Sequence, residues 1–207
     1  MNGKVKLNRF RKGVGAINTF FLKLGNNKVE HVGNYVLLLA LDEYEKAERA
    51  NGLSAHFVSM TALKLDKLMY FVEGFSYLRL GYGMTEEIFL LSEYGVISHK
   101  IRNKWRHTGQ NDMLWGIKVT RDYEKSFKMP ISLLSDEEKK VIQEVYELFR
   151  DISVWDIIPL IKSQPPYLKA VERSQNDKEA YAFVENNDIK EFFLTLEVPG
   201  SELYIEK

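Results

Sequence analysis

The chain has 207 residues, 45% hydrophobic and 28% charged, which suits one sizeable globular domain or two small ones with a packed core. It contains no cysteine, which excludes disulfides, thiolate catalysis and cysteine-based zinc sites and fits a reducing cytoplasm. The formal net charge is zero, so nothing draws the whole molecule toward nucleic acid or a membrane.

Residues 1–30 read as a basic N-terminal extension, with Lys4, Lys6, Arg9, Arg11, Lys12, Lys23 and Lys28 against Glu30 alone. Helix is expected around residues 16–24, broken by Gly25-Asn26-Asn27. A secretory signal is not expected: Asn18 and Lys23 interrupt a short apolar stretch, and no small-residue cleavage site follows. No run approaches the ~18 apolar residues of a membrane span.

The spacing of Val32, Tyr35, Val36, Leu39, Ala40 and Tyr44 predicts a helix over 32–50, with acidic residues on its other face and Gly52 as a left-handed cap. Thr61 is placed to cap the next helix, which should reach about Leu80. Leu65, Leu68, Met69, Val72, Phe75 and Ser76 share its broad apolar face, widened by Phe71 and Leu78. Asp66, Tyr70, Glu73 and Tyr77 fall on the opposite side. Tyrosine buries area while keeping a polar handle, so this stripe is a candidate partner-binding face. The same spacing also suits a face packed under the chain's own loops, with its hydroxyls bonded internally.

Gly81 and Gly83 end this helix, and 87–94 reads as a short strand. Ser98 can cap a basic helix through Trp105, and 115–120 is expected to form a second short strand pairing with 87–94. Ser135 with Glu138 makes a capping box, opening a helix to about Arg150 with Leu134, Val141, Val145, Leu148 and Phe149 inward. Ser153 and Asp156 repeat a similar cap, and Pro159 predicts a short or kinked helix there. Pro165-Pro166 opens a helical segment over 167–173, and 174–179 reads as a loop. Asn187 is placed to cap a last helix over 188–196, with a terminal strand at Leu203-Tyr204-Ile205. The expected fold is mainly α: a single-domain helical bundle at 31–207 with a small β-hairpin or short antiparallel strands.

No constellation carries chemistry. His31, His56, His99 and His107 lack metal-ligand spacing, and Gly13-Val14-Gly15 and Gly81-Tyr82-Gly83 lack the strand–turn–helix context of a dinucleotide site. There is no P-loop and no nucleophile elbow. We therefore expect no enzyme, no metal and no cofactor. Asp122-Tyr123-Glu124-Lys125 reads as a charged loop. A second basic stretch, 100–128, carries Lys100, Arg102, Lys104, Arg106, Lys118, Arg121, Lys125 and Lys128. Arg9-Phe10-Arg11 and Lys104-Trp105-Arg106-His107 mix cations with aromatics, which suits base stacking or ordinary snorkelling. A nucleic-acid-binding regulator using 1–12 and 100–128 is thus the alternative reading.

The segment Thr61-Ala-Leu-Lys-Leu-Asp-Lys-Leu-Met-Tyr-Phe71 resembles the "T-x-L-K-L-Q-K-L-L-Y-F" signature of the Panacea-domain family, the SocA-like antitoxins and phage-associated proteins. Ile88 through Ser98 is similar to that family's segment ending in aromatic-Gly-Pro-Val, with Val96 in place of its proline. Asn34-Tyr35-Val36, the Ser135 helix and Ser153-Val154-Trp155 are similar to further family segments, giving a resemblance over roughly residues 31–195. Asp66 replaces the usual glutamine, Ile161-Lys162 stands where the family has Thr-His, and Tyr167 replaces a tryptophan. The resemblance implies a mainly helical, cytoplasmic antitoxin that neutralises a cognate toxin by direct protein contact, in one mode as an adaptor handing the toxin to a protease. It carries no catalytic residues. The partner-binding residues expected here are Asp66, Tyr70, Glu73 and Tyr77, with Arg9 and Arg11 of the variable basic extension.

Overall fold

The computed structural model describes residues 28–51, 60–104, 113–123, 128–176 and 182–196. The expected strand at 203–205, the Gly52 cap and the helix at 16–24 lie outside them, as do Arg9 and Arg11.

Helix α1 spans Lys28–Asn51, starting four residues before the periodicity suggested and inside the span read as the basic extension. Val29, Val32, Val36, Leu37, Ala40, Leu41 and Tyr44 are its buried side. Its charged residues tie it to other segments. Lys28 pairs with Glu138, Lys104 with Glu30 at 2.8 Å, Arg150 with Glu43 at 3.0 Å, Arg121 with Glu45 and Lys118 with Glu48.

Helix α2, Ala62–Leu80, is the centre of the fold. The Thr61 hydroxyl accepts from the Lys64 amide at 3.2 Å, and the Gly81 amide closes the far end on the Tyr77 carbonyl. Every residue from Lys64 to Ser76 is buried. A helix enclosed on all sides cannot keep a solvated polar face, so α2 is not the amphipathic helix that its spacing suggested.

Strand β1 (Phe89–Ser92) pairs antiparallel with β2 (Gly95–Ser98) in the register Phe89↔Ser98 and Ser92↔Gly95. The expected partner, 115–120, is instead part of helix α4, Met113–Tyr123. Met113, Leu114 and Ile117 of α4 are buried, a helical spacing that a strand would have split between two faces. Helix α3, His99–Lys104, follows β2 directly, with the Ser98 hydroxyl accepting from the Ile101 amide at 3.2 Å.

The capping box is complete at the start of α5, Asp136–Phe149. Val141, Val145 and Phe149 face inward as expected, but Leu148 is exposed. The inward side centres on Ile142, Val145 and Phe149 with Val141 at its margin, and Leu148 falls just beyond that margin. Helix α6, Val154–Lys162, is short and holds Pro159 internally; α7, Pro165–Asn176, extends past both expected ends. Strand β3, Phe183–Val184, adds to the other edge of β1, giving the order β2-β1-β3. Helix α8, Asn186–Thr195, starts after Glu185 with no side-chain cap, so Asn187 lies within it.

An aromatic cluster joins these layers. Phe71 stacks on Phe149 with centroids 4.1 Å apart, and the Phe193 ring of α8 meets Tyr70, Phe71 and Phe75 edge-on. The approach requires Gly74: a Cβ there would stand 2.3 Å from the Phe193 ring. The protein is therefore mainly α, with a small three-stranded antiparallel sheet.

Candidate partner-binding surface

The stripe expected at the surface of α2 is not at the surface. Asp66, Tyr70 and Glu73 are buried and Tyr77 is half-buried. A buried ionisable group needs internal partners, and Lys64, Asp66, Lys67, Tyr70 and Glu73 of α2 find them outside the helix. The Lys64 ammonium donates to the Arg150 carbonyl at the end of α5. Asp66 accepts from the Ser98 amide at 3.3 Å and from Arg102 at 3.4 Å. Lys67 donates to the Val96 carbonyl in β2. The Tyr70 hydroxyl donates to Gln164 at 2.7 Å, at the α6–α7 junction. Glu73 accepts from the Thr85 amide at 2.8 Å, the Thr85 hydroxyl at 2.6 Å and the Glu86 amide at 3.2 Å.

Burial sets the titration of these groups. It raises the Asp66 carboxyl, against the pull of Lys67 and Arg102, and lowers the Lys67 ammonium, against that of Asp66. It raises Glu73 despite the three donors, and with Glu73 and Glu86 nearby it pushes Tyr77 up to about 12. The stripe thus stitches α2 to the rest of the fold, with Asp66, Tyr70 and Glu73 enclosed and Tyr77 partly open.

The basic stretch after residue 100 is also largely occupied where it is described, Lys128 being exposed. Lys100 lies 3.8 Å from Glu87, Arg102 meets Asp66, Lys104 meets Glu30, Lys118 meets Glu48 and Arg121 meets Glu45. Of Lys104-Trp105-Arg106-His107, only Lys104 is among the described residues. His31 is buried and accepts from the Leu133 amide at 3.2 Å; His99 contacts Asn103. Among the described residues no three His, Asp or Glu gather as a metal would need, and no helix is long and apolar enough to cross a membrane.

What the surface does present is an aromatic pair. Trp155, in the first turn of α6, is 64% exposed, and Tyr94, in the β1–β2 turn, is 40% exposed. Their rings meet edge-to-face, with centroids 6.1 Å apart and planes at 73°. The turn beneath Tyr94 is held from several sides. Gly95 takes φ 85°, the left-handed conformation that glycine accepts at no steric cost. The Ser92 hydroxyl donates to the Gly95 carbonyl at 3.1 Å and accepts from the Tyr94 amide at 3.2 Å. Lys162 of α6 donates to the Glu93 carbonyl at 3.1 Å, Tyr167 of α7 to the Ser92 carbonyl at 3.4 Å, and buried Lys67 to Val96. On the other side, Ser153 caps α6 by accepting from the Trp155 amide at 3.2 Å, while Ile157 and Ile161 fix the helix in the core. Two large rings thus stand in water on backbone that is fixed beforehand.

Residues 65–167 match the family model described as antitoxin SocA-like, Panacea domain. This segment is similar to a Panacea domain. No curated protein and no solved structure matches the chain. The Panacea match spans most of α2, the β1–β2 hairpin and α3 to α6, so Lys67, Tyr94, Val96, Trp155 and Tyr167 all fall within it. It is narrower than residues 31–195: α1 and α8 pack on α2 but lie outside the Panacea segment. An antitoxin-like Panacea domain supports a toxin–antitoxin related role with a protein partner.

Sequence reasoning picked out Tyr94-Gly95 as a family element and Ser153 as a cap, without seeing that the two meet. The available signal was on α6: Ile157, Ile158 and Ile161 mark its inner face, which leaves Trp155 beside Asp156 on the polar side, where a tryptophan needs a reason.

Proposed function

We propose that the protein is an antitoxin that neutralises a cognate toxin by direct contact, through the surface built on Tyr94 and Trp155. The observation that carries this reading is the 64% exposure of Trp155 against Tyr94, on a turn that three other elements hold in place. Tryptophan and tyrosine are the residues most often found at energetic centres of protein interfaces, and a rigid platform lowers the ordering cost of binding. The Panacea match supports the toxin–antitoxin part of the proposal. On this reading the protein works by binding, without chemistry of its own, in the cytoplasm.

The test is co-expression with the product of the neighbouring gene. Growth arrest by that product alone, relieved by this chain together with co-purification of the two, is the expected result. Arrest that persists, with no complex recovered, removes the proposal. Following the toxin's half-life in the same cells separates simple blocking from hand-over to a protease. The nucleic-acid alternative draws little support from the described part of 100–128, where Lys100, Arg102, Lys104, Lys118 and Arg121 already face carboxylates.

A further inference from the structure

The carboxylates beside the aromatic pair narrow the chemistry of what it meets. Glu93 precedes Tyr94 in the hairpin turn, and Asp156 follows Trp155 in α6. Both are exposed, and neither has an ion pair among the described residues. That separates them from acids nearby in sequence and on α1. Asp151 lies 3.4 Å from Arg150, and Glu30, Glu43, Glu45 and Glu48 all have cationic partners. Of the two cations that hold the turn, Lys67 is buried beside Asp66 and donates to the Val96 carbonyl, and Lys162 is committed to the Glu93 carbonyl at 3.1 Å, so with both pairs counted the patch keeps a net negative charge.

An exposed indole with a second ring edge-on to it presents a negative π-face, and flanking carboxylates deepen that potential. Both features select the same thing, a cation. Two rings cannot enclose a free ion, so the cation must arrive on a scaffold that supplies the rest of the interface. Resting on the proposed function, we infer that the Tyr94–Trp155 pair with Glu93 and Asp156 receives an arginine or lysine side chain of the toxin. Guanidinium or ammonium stacks on the indole while the two carboxylates neutralise it. The Panacea surface thus selects a toxin whose contact region is basic.

Two experiments on the full-length chain test this and keep it separate from the broader reading. In the first, N-acetyl-arginine amide is titrated into the protein while the indole N–H resonance of Trp155 is followed, the signal being assigned from a Trp155→Phe variant. N-acetyl-citrulline amide, the same shape without the charge, is the control. The expected result is movement of the Trp155 signal with arginine at millimolar concentration and none with citrulline, weakened in Glu93→Gln/Asp156→Asn. Equal response to both compounds, or to neither, overturns the inference whatever the toxin does. In the second, binding to the neighbouring gene product is measured. Trp155→Ala should weaken it roughly 30-fold or more. Glu93→Gln/Asp156→Asn should weaken it about three- to tenfold and flatten its salt dependence. A product that binds the wild type and both variants equally overturns the inference and leaves the antitoxin role standing. A product that never binds the wild type removes the antitoxin role, and the arginine titration then decides the cation site by itself. Melting temperatures matching the wild type show that all variants are folded.

Discussion

The ammonium of Lys67, buried in the middle of α2, donates to the carbonyl of Val96 in β2, 29 residues further along the chain. A residue of the signature helix thereby holds the strand that follows the Tyr94 turn. A strand carbonyl that points into the core must be paired or pay its desolvation. Lys67→Met keeps the apolar stem, removes the donor and leaves Asp66 with Arg102 and the Ser98 amide. We expect a loss of about 1–3 kcal/mol in urea melts and faster amide exchange through β2. An unchanged melt with unchanged exchange would show that the contact contributes nothing.

Tyr70 and Gln164 form a second pair whose energetics are readable. The hydroxyl donates at 2.7 Å, while the Gln164 amide nitrogen is buried without a partner. Tyr70→Phe strands the glutamine entirely and should cost about 1–2 kcal/mol. Adding Gln164→Leu removes the other polar group, so the double variant should recover most of that loss. Additive losses in the thermodynamic cycle would contradict the pairing. Binding to the toxin should be unaltered in both, because Tyr70 does not reach the surface.

Glu86 is the one non-glycine residue with positive φ, at 48°, among the described residues, and its amide is held by buried Glu73 at 3.2 Å. The left-handed conformation costs a side-chain-bearing residue roughly 1–2 kcal/mol, part of which glycine returns as extra freedom of the unfolded chain. Glu86→Gly is therefore expected to raise stability by about 0.5–1 kcal/mol. A destabilised Glu86→Gly protein would mean that its side chain matters more than its backbone.

Acid should weaken the α1–α5 contact through Glu138. Burial disfavours the charged carboxylate, but Lys28, the Ser135 amide and the Tyr82 hydroxyl outweigh it and hold the group below its ordinary value. The unfolded chain therefore takes up this proton first. The contribution is complete above the ordinary glutamate value of about 4.3 and is lost as pH falls through the lower folded value. In Glu138→Gln the gap in stability to the wild type should be widest at neutral pH and shrink on acidification. A gap independent of pH would refute the assignment.

Leu68 is fully buried and Phe75 nearly so, against the Phe193 ring in the second case. Either residue changed to Ala should cost about 2–5 kcal/mol through the cavity left behind. Wild-type melting of these variants would remove α2 from the core.

Short-range chemistry was legible in the chain by itself. Thr61, Ser98, Ser135 and Ser153 each cap a helix through an amide two or three residues away, so the necessary partner is always within local reach. The inward face of α2 from Leu65 to Phe75 follows from spacing for the same reason. What only tertiary structure decided was the fate of polar side chains and marginal segments. Spacing gives α2 two sides, yet Asp66, Tyr70 and Glu73 are enclosed because Ser98, Gln164 and Thr85 reach them across intervals of 32, 94 and 12 residues. Residues 115–120 were ambiguous as a short apolar run and became helix when Met113, Leu114 and Ile117 were buried on one side. Trp155 meets Tyr94 only because the hairpin turn folds onto α6. Hydrogen-bond partners and buried surface are properties of distant segments brought together, and periodicity along one segment does not encode them.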